Sequence, residues 1–97
     1  VADNVIEYAV RLASKTRPNT DYSTRMVDDY IDWGAGPRAS QFLILGAKAN
    51  AAVNEKYSPD IEDVQAVAFS ILRHRIVRNY KAEAEGISEK QIIESLF

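Results

Sequence analysis

Apolar residues recur at helical spacing through most of this chain. Val5, Tyr8, Ala9 and Leu12 fall three or four positions apart, which places them on one face of a helix. Asn4 and Glu7 stand where a capping box has its N-cap and its third-position partner, so the spacing predicts a first helix over about 4–16. Pro18 disfavours helical geometry at Arg17 and ends that helix, and Asn19 to Ser23 reads as polar linker. Met26, Val27, Tyr30, Ile31 and Trp33 form a short helical segment that runs into Gly34 and Gly36. These glycines are placed as a helix stop followed by a helix start, with Pro37 at the first position of a third helix over 37–54. Its Phe42, Leu45, Ala49 and Val53 make one face, while Ala39, Ala47, Ala51 and Ala52 keep other faces thin enough for close packing. It is the expected central helix.

A fourth helix is signposted by Ser58 as cap, Pro59 at the first position, and Asp60, Glu62 and Asp63 in the first turn. Ile61, Val64, Ala68, Ile71 and Leu72 form its buried stripe, and Arg73, His74 and Arg75 favour the negative end of its dipole. Helical periodicity fades from Ile76 to Tyr80, which reads as extended or irregular. Gly86 marks a turn, after which Ser88 and Gln91 form a second capping box and Ile87 can staple onto Ile92. The expected fold class is all-α: a small bundle of about five helices around one core, forming a single domain over residues 1–97.

Composition narrows the function classes. Ninety-seven residues at 46% hydrophobic suit one compact domain with room for a single core. Twelve basic against fourteen acidic residues give a net charge of -2, so no overall field draws the chain to nucleic acid or an anionic membrane. Without cysteine there is no disulfide framework and no thiolate metal site, and one histidine cannot build a zinc site. That cysteine usage is compatible with an intracellular location. No apolar run approaches the roughly eighteen residues of a membrane span. The Val1 start and the apolar Ile92, Ile93, Leu96 and Phe97 at the other end read as an excised piece of a longer chain.

The candidate chemistry is sparse. The sequence Trp33-Gly34-Ala35-Gly36-Pro37-Arg38-Ala39-Ser40 puts Arg38 in the first turn of a helix, where unpaired N–H groups carry about half a positive charge. A cation there is unfavourable unless an anion offsets it. Arg38 therefore either reaches back to Asp28, Asp29 or Asp32, or joins the free N–H groups in an anion site. No phosphate loop is present, and no strand precedes the glycines, so the chain alone has neither ATPase machinery nor a dinucleotide fingerprint. The carboxylate pairs Asp28/Asp29 and Glu83/Glu85 read as solvated faces, and His74 as a cap or packing residue in preference to a switch. Arg73, Arg75, Arg78 and Lys81 could form a phosphate-binding stripe with Tyr80 as stacking partner, but a continued helix would not bring them onto one face.

The segment from Tyr30 to Ser40 resembles the second-sensor turn of the MoxR family of AAA+ ATPases, whose usual form has serine where this chain has Gly36. The order of motifs downstream resembles that family's C-terminal lid: Ala47-Lys48-Ala49 with Ala51-Ala52, Tyr57 with Ser58 to Val64, Leu72-Arg73-His74-Arg75-Ile76, and Asn79-Tyr80 leading to Gly86. Tyr8 to Leu12 with Thr16-Arg17 resembles its first helix. Each motif is short, and their shared order over nearly the whole chain gives the resemblance its force. Gly36 lacks the hydroxyl that could cap the helix, at a cost of a few tenths of a kcal/mol. Glu55-Lys56 stand where the family has Gly-Arg.

The resemblance implies that Arg38, with Gly36 and Pro37 around it, is the nucleotide-binding element of a lid, and that Arg38 reaches the nucleotide phosphates. It implies ATP and Mg2+ as cofactors of the parent protein and none for this fragment alone, which is not itself catalytic. The implied partners are an upstream AAA+ nucleotide-binding domain of the same chain, neighbouring subunits of a ring, and client proteins whose assembly or activation the parent assists. A cytoplasmic location follows from the same resemblance. The competing reading is a free-standing helical interaction module that docks a partner through Tyr30, Trp33 and the Ile92/Ile93/Leu96/Phe97 cluster. A nucleic-acid-binding domain built on the basic group is a third reading.

Overall fold

The computed structural model describes all of residues 1–97. Six helices and one small ribbon follow in the order α1 (Asp3–Lys15), α2 (Arg25–Tyr30), β1 (Ile31–Trp33), α3 (Ala39–Val53), α4 (Ile61–Leu72), β2 (Val77–Arg78), α5 (Tyr80–Glu85) and α6 (Glu89–Glu94). The all-α class is as expected, with one more helix than expected and a two-stranded ribbon that the periodicity did not signal.

Helix α3 is the centre of the bundle, packed most extensively on α4 and next on α1, while α6 closes over α4. One continuous core joins Val5, Ala9 and Leu12 of α1 to Leu43 and Ala47 of α3, Val64, Ala68 and Leu72 of α4, and Ile92, Ile93 and Leu96 at the chain end. The face of α3 that enters this core is the thin one. Ala39, Leu43, Ala47 and Ala51 are buried, whereas Leu45 is 61% and Val53 80% exposed. Small side chains let the α3 axis approach two neighbours at once, and the larger residues of α1 and α4 fill the space. Gly46 extends the close approach, because a Cβ there would lie 2.7 Å from Ile71 Cδ1. Phe42 stays at the surface under the Arg75 guanidinium, 4.3 Å from its ring centre.

Three helix starts differ from expectation. Helix α1 is capped by Ala2, with Asn4 already inside it, and the Ile6 N–H bonds the Ala2 carbonyl at 3.2 Å. Asn4 and Glu7 therefore form no capping box. The cap of α4 is Asp60 in place of Ser58, and the Asp63 carboxylate accepts the Asp60 N–H at 2.8 Å. Helix α3 begins at Ala39, two residues past Pro37.

The stretch from Ile76 onward is extended only as far as Arg78. Ile31 lies opposite Arg78 and Trp33 opposite Val77 in an antiparallel pairing with an irregularity between them. Asn79 then caps α5 by accepting the Ala82 N–H at 2.9 Å, while its amide donates to the Asp29 carbonyl at 2.7 Å. One side chain thus starts α5 and ties it to the end of α2. Gly86, at φ 71°, closes α5 in the left-handed conformation. The expected Ser88/Gln91 box is present, with the Gln91 N–H on Ser88 Oγ at 3.1 Å and the Ser88 N–H on Gln91 Oε1 at 2.8 Å. No helix is long and apolar enough to cross a membrane.

Candidate functional site

The turn between β1 and α3 is built against the end of α1. A Cβ on Gly34 would lie 2.5 Å from Arg17 Cα, so only glycine lets the two backbones touch. Ala35 is buried, its N–H on Thr16 Oγ1 at 2.8 Å and its carbonyl on Arg17 Nε at 2.8 Å. Beyond it the chain emerges. Gly36, Pro37 and Arg38 are exposed, and the Ala39 N–H bonds the Gly36 carbonyl at 3.1 Å to complete a tight turn into α3.

Arg38 occupies the N-cap position of α3, with φ -78° and ψ -12°. Its side chain makes no ion pair and no hydrogen bond within the chain. Helix α3 has no side-chain cap and no acidic residue in its first turn, so nothing in the chain offsets the positive end of its dipole. The three aspartates that could have answered Arg38 do not. Asp28 accepts the Asn19 N–H at 2.6 Å, and that bond, aided by Ser23, holds its carboxyl below the usual range. Asp29 lies 3.8 Å from Arg25, and Asp32 makes no ion pair.

An open cleft of about 410 Å³ runs along this turn, lined by Arg17, Pro18 and the stretch from Asp32 to Gly36. Trp33, 73% exposed, stands at its edge. A second groove, about 280 Å³, lies on the outer face of α1 among Ile6, Val10 and Tyr22, away from the turn.

The other candidate groups are dispersed. Arg78 is taken up by Glu89 at 2.8 Å and by the Ile87 carbonyl at 2.7 Å. Arg73 lies over Phe69, Arg75 over Phe42 and Lys81 over Tyr30, so the basic group forms no continuous stripe. Glu85 accepts the Tyr30 hydroxyl at 2.9 Å, and His74 is exposed with no partner. Ile92, Ile93 and Leu96 are core residues and offer no docking surface. What sequence reasoning missed is the part played by Thr16 and Arg17. Their signal was the Thr-Arg-Pro sequence at the end of α1, which periodicity treats only as a helix stop.

Known proteins are similar to this chain in sequence and fold. The model of the AAA lid domain family matches residues 23–96. The chain is 34% identical over 89 residues to chaperone MoxR1 of Mycobacterium tuberculosis, covering 92% of this chain and 24% of that protein. It is 28% identical over 94 residues to YeaC of Bacillus subtilis, a protein of uncharacterised function, covering 97% of this chain and 27% of that one. A crystal structure from Cytophaga hutchinsonii, assigned as an ATPase, superposes with a TM-score of 0.89 at 41% identity over 98% of this chain and 29% of its own. The chain therefore spans about a quarter of the length of the curated relatives it matches. With the family model covering most of the chain and the helical order matching throughout, this protein belongs to the AAA lid domain family, as a lid of the MoxR type of AAA+ ATPase.

Proposed function

We propose that this lid senses nucleotide for its parent ATPase, with Arg38 contacting the phosphates of ATP bound in the upstream domain of the same chain. The observation that carries the reading is an exposed arginine without a protein partner, set at the uncapped N-terminus of α3. Such a site favours an anion through both the guanidinium and the helix end. Gly36 and Pro37 serve it by shape, one leaving open space beside the turn and the other fixing the backbone before Arg38. A guanidinium on the phosphates can favour the closed state and stabilise transition-state charge, a role worth about 10³–10⁵ in rate where arginines supply it in other phosphoryl-transfer systems.

The lid has no group of three or more His, Asp or Glu placed to hold a metal. On this reading the Mg2+ ligands and the phosphate loop would lie in the upstream domain of the same chain. The parent would act in the cytoplasm as a ring of subunits that assists assembly or activation of client proteins, a reading supported by the similarity to a chaperone. The test is Mg2+-dependent ATP turnover of the full parent chain, wild type against Arg38→Ala at saturating ATP. A loss of about tenfold or more with the lid still folded supports the phosphate contact. Unchanged turnover and affinity would make Arg38 a surface arginine and leave the domain as a packing element.

A further inference from the structure

Ala35 is the one residue of the turn whose backbone polar groups are both taken up by a distant helix end. The Thr16 hydroxyl donates its proton to the Ala13 carbonyl at 2.6 Å, which leaves a lone pair aimed at the Ala35 N–H. Thr16 is only 1% exposed, and its hydroxyl proton and one lone pair are used within the chain. Arg17 adds a charge-assisted bond to the Ala35 carbonyl. The Gly34 backbone, pressed against Arg17 Cα, blocks any slide of the turn toward α1. Downstream, Arg38 lies outside the regular helix, and its direction depends on where Ala35 leaves the chain as well as on where the buried Ala39 anchors α3.

We infer that Thr16 and Arg17 are positioning residues for Arg38: by clamping both sides of the Ala35 peptide they fix the direction in which the turn delivers the Arg38 guanidinium. The inference rests on the phosphate-contact reading of Arg38. Thr16 is buried with its one donor spent on Ala13, so it works through the turn. Arg17 holds Ala35 through Nε, has further N–H groups and lines the cleft, so faster exchange at 33–40 in Arg17→Ala separates positioning from a direct contact. The leverage is large because a displacement of about 1 Å in a phosphate-contacting group can cost about 10²-fold in rate.

The test uses the full parent chain, read by amide hydrogen exchange and by ATP turnover in Arg17→Ala, Arg17→Lys, Thr16→Val, Arg38→Ala and the Arg17→Ala/Arg38→Ala double variant. Arg17 is only half-buried, so its variants keep the fold even if Thr16→Val does not, and exchange across α4 serves as the internal control. Arg17→Ala is expected to speed exchange at residues 33–40 about tenfold with α4 unchanged, to lower turnover about tenfold or more, and to be largely rescued by Arg17→Lys. The double variant should be no slower than Arg38→Ala alone to within about twofold, because both changes remove the same contact. Unaltered exchange at 33–40, a uniform rise across the lid, or losses that multiply in the double variant would each overturn the clamp. A loss in Arg38→Ala with none in Arg17→Ala defeats positioning alone. No loss in Arg38→Ala defeats the phosphate contact and the positioning role together.

Discussion

Asn50 of α3 donates its side-chain amide to the Asp63 carboxylate of α4 at 2.8 Å, joining the two most extensively packed helices through a carboxylate that is 2% exposed. The same carboxylate accepts Lys56 Nζ at 3.2 Å and the Asp60 N–H at 2.8 Å. A buried charge is tolerated because every side has a donor. Lys56 in turn reaches Glu62 at 3.0 Å and Asp60 at 3.7 Å, so one ammonium gathers three carboxylates around the start of α4.

This network predicts how stability follows pH. The Asp60 N–H, with Asn50 and Lys56, holds the Asp63 carboxyl below its usual range against the opposing effect of burial. A depressed carboxyl stabilises the fold above its unfolded value, so the contribution is lost as pH falls below about 4. Lys56 is raised, first by Glu62 and then by Asp63, and its contribution is lost as pH climbs above about 10.4. Thermal unfolding of this domain should therefore show a plateau between those limits. Asp63→Asn should lower the plateau and flatten the acid limb; an acid limb as steep as wild type would show that Asp63 is not the group responsible.

Two neighbouring leucines test which face of α3 is buried. Leu43 is fully enclosed, whereas Leu45 is 61% exposed. Leu43→Ala should cost about 2–5 kcal/mol of unfolding free energy, and Leu45→Ala should stay within about 0.5 kcal/mol in denaturant titrations. Equal losses would mean that the bulky outer face is also packed in the isolated domain.

The glycines of the turn should respond unequally. Gly34→Ala must push the backbone off Arg17 and is expected to destabilise by about 1–3 kcal/mol, whereas Gly36→Ser meets nothing within 4 Å. The serine variant should melt within a degree or two of wild type, near the limit of about 0.5 kcal/mol for an open surface site. A large loss in Gly36→Ser would reveal a contact of the turn not evident from its geometry.

Nucleotide affinity of the isolated lid is the last expectation. One charge-assisted contact stabilises by about 1.5–3 kcal/mol, too little against the cost of association. Calorimetric titration of this domain with ATP should show no binding in the submicromolar range. Tight binding would mean that the cleft beside Trp33 and Arg17 forms a nucleotide site by itself.

Most of the helices were legible because each carries its own local signal. The Ser88/Gln91 box, the acidic first turn of α4 and Gly86 act over one or two turns of chain, and the structure keeps these three. Gly34 follows the β1 strand and not a helix, so the expected helix stop there is overturned by the pairing of Ile31–Trp33 with β2. Arg38 stood out for the same local reason, as a cation at the wrong end of a helix. The extended stretch at Val77–Arg78 was legible from fading periodicity, but Ile31–Trp33 read as helical and its pairing with β2 was hidden, since three residues do not suffice to show alternation. Helix α5 was missed although Asn79 caps it locally, because six residues with Ala82 alone buried are too short to show a helical period. The buried face of α3 could not be read from hydrophobicity, since that helix is apolar on several sides and close packing by α1 and α4 selected the alanines. The sequence by itself determined the helical class and the arginine; only tertiary structure decided that Thr16 and Arg17 grip Ala35, because hydrogen bonds across eighteen or nineteen residues leave no periodic trace in the chain.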